Sequence, residues 1–197
     1  VRYSNNWATN RLIQRLDPAT INNHLDALGL NTTRIQRYMT GTGAPSMHGN
    51  SSANADRQEG WENKSTPREM VTLLRSVLQD NVLSNTSETR FWNTLGLDDD
   101  GVGANDRSFI AATVAPMFNP AITVWNKSGT LTGAPRYTRA DAGRFRFPDG
   151  QEVLVAIFMD DVSDDPDDFN TASAATISAA QQTIRDVAAL VANQFYE

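Results

Sequence analysis

ITVWNKSGTL, the sequence of residues 122–131, ends an apolar run with a cation, a hydroxyl and a glycine. Its β-branched and aromatic residues predict a strand over Ile122–Leu131, and the Lys127-Ser128-Gly129 group predicts an anion-binding edge on that strand. Lysine is scarce, because only Lys64 and Lys127 occur against fifteen arginines. Lys127 is therefore a candidate site residue, and an ordinary lysine at a strand end is the alternative interpretation.

A second candidate group lies near the amino end of the chain. Ser4-Asn5-Asn6 precedes the helical run Trp7–Leu16. A serine two residues before an asparagine at a helix start can present a hydroxyl and an amide together. The alternative interpretation is a helix cap of the kind found on many helices.

Helical patterns come before strand patterns along the chain. Helices are predicted over about 7–15, 18–28, from Thr66 onward, over 87–95 and over 171–195, whereas the segment before Pro120 has only a weak pattern. Strands are predicted at 122–131, 143–147 and 152–159, with a turn at Pro148-Asp149-Gly150. This order predicts an α+β fold in which Asp141–Met159 forms an antiparallel hairpin beside Ile122–Leu131 and the terminal helix covers one face.

Apolar positions predict which helix faces are buried. The first helix has Leu12, Ile13 and Leu16 on one face, and Gly29 is a natural left-handed cap for the second. The buried stripe predicted for the helix after Thr66 consists of Met70, Leu73, Leu74, Val77 and Leu78. The face predicted for the terminal helix consists of Ile177, Ala180, Ile184, Val187, Val191 and Phe195.

The 197 residues fit a single domain with one core. Residues 1–120 form a mainly helical part that contains a long polar loop at 32–65, and residues 121–197 hold the strands and the terminal helix. A connection of that length is either disordered or functional, and we favour a structured loop.

Composition excludes several classes of protein. The net charge is -6 and the arginines are dispersed among acids, which argues against nucleic-acid binding. No apolar run approaches the ~20 residues that cross a bilayer. The chain has no cysteine, and His24 and His48 have no partner at metal-ligand spacing. The six aspartates within 160–168 lack the glycine and terminal glutamate of a calcium loop, so neither a metal nor a cofactor is predicted.

Four ordered segments resemble the class A β-lactamases and the related penicillin-binding serine hydrolases. Ser4-Asn5-Asn6 resembles the S-D-N element and Lys127-Ser128-Gly129 the K-[TS]-G element. Thr33–Tyr38 resembles the entry to the family's Ω loop, and Ser65–Met70 resembles the T-T-P-R-x-M start of the helix that follows it. The resemblance implies a helical lobe beside an antiparallel sheet, a cleft between them and an exported protein.

The resemblance also implies roles for individual residues. Ser4 shuttles a proton toward the leaving nitrogen, Asn6 binds the substrate amide, and Lys127 tunes Ser4 and attracts the substrate carboxylate. The backbone N–H of Thr130 completes an oxyanion hole. The substrate-binding residues implied in this way are Asn6, Ser128, Gly129, Thr130 and, placed by counting back from the turn, Arg139. The implied substrate is a β-lactam, or a peptidoglycan-like D-Ala-D-Ala amide or ester.

Two departures from the family pattern concern the chemistry. No S-x-x-K nucleophile motif is present, because Trp61 and Val124 stand three residues before the two lysines. We therefore expect the family's N-terminal elements to be missing and the nucleophile to lie upstream or in a separate chain. The alternative is a non-catalytic β-lactamase-like binding remnant.

The second departure concerns the base that activates the deacylating water. Aligning Arg37-Tyr38 with the family's R-[WY]-E pattern puts Met39, a thioether, at the position of the glutamate. Glu59 or Glu62, in the long loop, are the candidates to replace it. Efficient β-lactam hydrolysis is not expected from Met39.

Overall fold

The computed structural model of the protein describes residues 6–39, 63–79, 82–96, 109–118, 122–131, 138–160, 162, 164 and 172–196. Its helices are α1 (Asn6–Leu16), α2 (Pro18–Ala27), α3 (Pro67–Gln79), α4 (Asn85–Gly96), α5 (Phe109–Val114) and α6 (Ala174–Phe195), with a 3₁₀ turn at Ala115–Met117. Its strands are β1 (Thr123–Leu131), β2 (Thr138–Arg146) and β3 (Glu152–Met159). The chain divides into two compact units, Val1–Leu73 and Leu74–Glu197, so the boundary lies within α3.

In the first unit, α1 and α2 are joined by a tight corner at Asp17. This residue has a φ of 65°, and its carboxylate caps α2 by accepting the N–H of Thr20 at 3.1 Å. At the other end of α2, Gly29 has a φ of 75°, and the N–H groups of Gly29 and Leu30 bond back to the carbonyls of Asp26 and Leu25. This is a Schellman cap. The predicted glycine cap is therefore confirmed.

In the second unit, the three strands form one antiparallel sheet in the order β1-β2-β3. Side chains alternate between its two faces. One face packs on α5 and α6 around Phe109, Ile110, Phe145 and Ile184, all of which are at most 1% exposed. The other face packs on α4 and the second half of α3, around Leu74, Val77 and Trp92. The predicted hairpin and its covering terminal helix are confirmed.

Three sequence predictions about the elements were wrong. Leu12 and Leu16 are 61% and 55% exposed, so Ile13 is the only apolar residue of the three that α1 buries. On α6, Ala180 and Ile184 are buried as predicted, but Val187 and Phe195 are each 39% exposed, and Ala188 and Ala192 are buried although they were not predicted. Small alanines suit close helix-to-sheet packing, which a count of large residues overlooks.

The third error concerns the limits of elements. β2 begins at Thr138, five residues before the predicted start, because Arg139 and Asp141 belong to the buried face despite their charge. The weakly patterned segment before Pro120 contains α5, whose Phe109, Ile110 and Val114 are buried. For α3, the predicted stripe is correct, since Leu74 and Val77 are buried and Met70, Leu73 and Leu78 are half-buried.

Candidate active site

Lys127 lies in the middle of β1, which is an edge strand of the described sheet. Lys127 and Ser128 are half-buried, and Gly129 and Thr130 are exposed, so the segment is open to a ligand. The Lys127 ammonium donates to the carbonyl oxygen of Ser128. The predicted edge group is thus presented on an edge strand.

β2 supplies the residues opposite this segment. In the antiparallel register, Ser128 is paired with Asp141 and Thr130 with Arg139. Directly paired residues point to the same face of a sheet, so Arg139 lies on the face of Ser128 and Thr130. Arg139 is 3% exposed and its guanidinium donates to the carbonyl of Thr138 at 2.8 Å. Its predicted role as a carboxylate ligand stays a prediction.

Asp141 is a fully buried carboxyl group beside the Lys127 segment. It accepts hydrogen bonds from the Asn126 side-chain amide at 2.7 Å and from the backbone N–H of Ile110, in α5, at 3.0 Å. Burial raises its pKa from 3.8 to about 6, although these hydrogen bonds and the charge of Lys127 act in the opposite direction. Asp141 therefore changes its charge close to neutral pH.

An arginine between two tryptophan rings supports the other face of β1. The Arg144 guanidinium carbon lies 4.9 Å from the centre of the Trp92 ring and 4.8 Å from that of Trp125. It also donates to Glu152 of β3. The contacts with the two rings are of cation–π type, and together with the bond to Glu152 they connect α4, β1 and β3. Trp125, the ring on β1, is two residues before Lys127.

In the first unit, α1 fixes the backbone of Met39, the residue that the sequence alignment predicts at the position of the family's glutamate. The buried side chain of Asn10 donates to the Met39 carbonyl at 3.0 Å and accepts the Met39 N–H at 2.7 Å. Asn10 lies one helical turn after Asn6, so both project from one side of α1. The backbone of Met39 is therefore held against the helix that the S-x-N element opens.

Hydrogen bonds join the two ends of the long loop. Arg34 and Lys64 form a β-bridge through paired backbone bonds of 2.8 and 3.1 Å. The Asn63 side chain accepts the N–H groups of Gln36 and Arg37 at 2.7 and 2.9 Å and donates to the Arg37 carbonyl. This arrangement closes the loop at residues 34–37 and 63–64.

The carboxylate of Glu69 also holds the beginning of the loop in place. It accepts the hydroxyl and N–H of Thr33, each at 2.6 Å, and the N–H of Thr32 at 2.9 Å. These bonds, first among them the one from the Thr33 hydroxyl, lower the pKa of Glu69. The carboxylate is thus held in its charged form, tying the start of α3 to the entry of the loop.

Some predicted site residues lie outside the described residues. These are Ser4, Glu59 and Glu62, so the expected contact of Ser4 with Lys127 and the candidate bases stay predictions. Asn6 is described as the exposed first residue of α1. Within the described part of the chain, no cluster of histidines and acids is suited to a metal ion, and no helix is long and apolar enough to cross a membrane.

Sequence reasoning missed Asn10, Asp141 and Arg144. Asn10 occurs one turn before Ile13 on α1, and a polar residue on a buried helix stripe was the available signal. Asp141 precedes the predicted strand at 143–147 and Arg144 lies within it, but neither residue belongs to a recognisable motif. Their partners come from α5 and α4, and no local pattern identifies such long-range neighbours.

Comparison with known proteins identifies the family. The sequence profile of the beta-lactamase enzyme family matches residues 1–195. The match covers nearly the whole sequence, and the protein belongs to the beta-lactamase enzyme family. A comparison with curated proteins found no significant match.

Solved structures agree with the fold. A class A β-lactamase from Mycobacterium abscessus is 22% identical with a TM-score of 0.69, over 99% of this chain and 62% of that chain. The chromosome-encoded β-lactamase of Vibrio parahaemolyticus is 18% identical with a TM-score of 0.65, over 98% and 61%. PBP-A is 24% identical with a TM-score of 0.66, over 98% and 57%. The α+β, β-lactamase-like fold is confirmed, and the chain spans about three-fifths of the length of these structures.

Proposed function

We propose that the protein is a serine acyl-transfer hydrolase that is acylated by a β-lactam, or by a D-Ala-D-Ala-like amide or ester, and releases the acyl group slowly. Lys127, Ser128 and Thr130 bind the substrate carboxylate and carbonyl from the edge of β1. Arg139, paired with Thr130, adds positive charge on the same face. Ser4 transfers the proton to the leaving nitrogen, and Asn6 binds the substrate amide. The nucleophile is a serine outside these 197 residues.

The observation that carries the proposal is the fixed position of Met39. Two hydrogen bonds between the Asn10 side chain and the Met39 backbone hold that backbone against α1, the helix that Asn6 opens. A thioether accepts no proton from water. The acyl-enzyme therefore lacks a base at this position and persists. The acylation step alone has a precedent in a protein of similar fold, since a leucine-to-glutamate mutant of PBP-A, 22% identical to this chain, is described as an acyl-enzyme complex with penicillin G.

The compartment proposed for this activity follows from the family resemblance. Export, which the resemblance implies, brings a protein to the compartment where peptidoglycan and β-lactams are encountered. The comparisons give no support to a nucleophile on a separate polypeptide, and the proposal does not depend on one. Glu59 and Glu62 stay candidates for a substitute base.

The test uses the gene product that contains this chain, incubated with penicillin and followed by mass spectrometry. We expect a covalent adduct that persists for many minutes. Met39→Glu puts a carboxylate on the backbone position that Asn10 holds, and hydrolysis should accelerate by about 10²-fold or more, as expected for a general base. Met39→Gln is the matched control, because it has a similar length but no basic group.

Three outcomes separate the alternatives. A lasting adduct in the wild type and turnover in Met39→Glu alone support the proposal. Rapid hydrolysis by the wild type contradicts it and points to Glu59 or Glu62, which Glu59→Gln and Glu62→Gln distinguish. No adduct in any variant, with binding of the ligand retained, supports the non-catalytic binding remnant.

A further inference from the structure

One buried carboxyl group contacts the strand segment around Lys127 without a role in the proposed chemistry. Asp141 is 0% exposed. It accepts the side-chain N–H of Asn126, immediately before Lys127, and its own position in the register is opposite Ser128, immediately after it. A third contact, from the backbone N–H of Ile110, fixes the carboxyl group to the start of α5. Asp141 is thus bonded to one neighbour of Lys127 and paired with the other.

The geometry points to Asp141 as a positioning residue for acyl transfer, whose buried carboxylate orients the Asn126–Ser128 segment and attracts the Lys127 ammonium. This inference rests on the proposed function. Asp141 acts through Lys127 and Ser128 and does not itself contact substrate. A charge in a poorly hydrated interior acts more strongly on its neighbours than a charge in water.

The charged groups around Asp141 come from two strands. Lys127 of β1 interacts electrostatically with it, and Arg139 lies two residues earlier on the same face of β2. β3 places Ile157 opposite Asp141. α5 contains no titratable side chain, and the buried residues of α6 are Ala180, Ile184, Ala188 and Ala192. The opposing elements therefore present apolar residues to this face.

The burial of Asp141 has a consequence for the pH dependence of the reaction. Because burial raises its pKa to about 6, the carboxylate is mostly charged at neutral pH and mostly uncharged at pH 5. When the Asp141 carboxylate binds a proton, its attraction for the Lys127 ammonium and its hydrogen bond from the Asn126 amide both weaken. Acylation should then slow by about tenfold per pH unit below that pKa, if the charged form alone is competent.

The experiment measures the rate constant of acylation by a fluorescent penicillin from pH 4.5 to 8. The gene product that contains this chain is compared with its Asp141→Asn variant. We expect a step near pH 6 in the wild type, and in Asp141→Asn a rate about tenfold lower at pH 7.5 with no step. Asp186→Asn, which neutralises an exposed aspartate on α6, is the matched control and should keep the step. A folded Asp141→Asn variant with the wild-type step overturns the inference.

A second variant tests the inference by changing the pH at which the step in acylation occurs instead of abolishing the step. Asn126→Asp puts another carboxyl group within hydrogen-bonding distance of Asp141. Like charges raise the pKa of the pair, so the step in acylation should move to higher pH. A merely structural role for Asp141 predicts no such movement. An unchanged step in the folded Asn126→Asp variant also overturns the inference.

A readout without substrate separates this inference from the proposed function. The side-chain methylene signal of Lys127, assigned by comparison with Lys127→Arg, is followed by NMR across the same pH range. A step near pH 6 that disappears in Asp141→Asn supports the coupling even if penicillin forms no adduct, an outcome that overturns the proposed function alone. A flat Lys127 signal in the wild type overturns the coupling even if acylation proceeds.

Discussion

Asp141 is a residue whose ionisation also affects the stability of the fold. Its pKa is 3.8 in an unfolded chain and about 6 in the folded protein, because the carboxyl group is buried. Between these values the unfolded state has released the proton and the folded state has kept it. The contribution of this residue to the free energy of unfolding therefore falls as pH rises through this window and is constant above it. At 1.36 kcal/mol per pKa unit, the total fall is about 3 kcal/mol.

Asparagine at position 141 should remove this dependence. It has the shape of aspartic acid and does not titrate, and the Asn126 amide can rotate to present its oxygen to the new NH₂ group. The free energy of unfolding of Asp141→Asn, relative to that of the wild type, should thus rise by about 2.4 kcal/mol from pH 4 to pH 7. Urea unfolding followed by circular dichroism measures both. Parallel pH profiles for the two proteins would contradict the burial of a titrating carboxyl group.

At the same scale, the sequence predicted the residues that belong to a motif and missed those that support it. Lys127, Ser128 and Gly129 were predicted from their residue types and Thr130 from the family resemblance, and the structure presents all four on an edge strand. Asn10 and Asp141 carry no motif. Their importance comes from partners 29 and 15 residues away, Met39 and Asn126, which only the folded chain brings close.

At the scale of elements, the pairing of β1 with β2 depends on a glycine. Gly143 lies opposite Asn126, and a Cβ atom there would come within 2.6 Å of the Asn126 Cβ and 2.8 Å of its Cα, besides meeting the Trp125 carbonyl. Such distances are shorter than van der Waals contacts. The strands can approach this closely only because residue 143 has no side chain.

Gly143→Ala should therefore lower the stability of the protein. The added methyl group must push β1 away from β2, and overpacking of this kind costs about 1–3 kcal/mol. Gly129→Ala is the matched control, since its Cβ would meet nothing within 4 Å, and its free energy of unfolding should change by less than about 0.5 kcal/mol. Thermal or urea unfolding of both variants gives the comparison. Equal losses would show that strand propensity, and not the close approach, decides the outcome.

The elements with a regular apolar pattern were predicted well, and those shaped by tertiary contacts were not. The apolar residues of α3 recur at helical spacing and β3 is a continuous β-branched apolar run, and both elements are present as predicted. α5 has only six residues, too few for a clear apolar pattern. Its buried position depends instead on β2, because the Asp141 carboxylate accepts the N–H of Ile110 in this helix. The early start of β2 follows from the same contact, because a charged residue is accommodated on a buried strand face only where donors are supplied.

At the scale of the whole molecule, α6 separates a buried side from an exposed one. Ile184, Ala188 and Ala192 face the core with no exposed surface, whereas Leu190 is 71% exposed and Val187 39%. Val187 and Leu190 are three residues apart and hence neighbours on the outer surface of the helix. Solvent contact of single apolar residues is ordinary in soluble proteins, so this surface contributes little to folding by itself.

Two alanine substitutions on α6 test that division. Leu190→Ala removes a side chain that packs on little in the described structure, and the free energy of unfolding should change by less than about 0.5 kcal/mol. Ile184→Ala, the matched control on the opposite side of the helix, leaves a cavity in the core and should cost about 2–5 kcal/mol. Chemical unfolding at one pH measures both values. The chain spans about three-fifths of the length of the solved β-lactamases, so a cost of 2 kcal/mol or more for Leu190→Ala in the gene product would mean that another segment or a partner covers this side of α6.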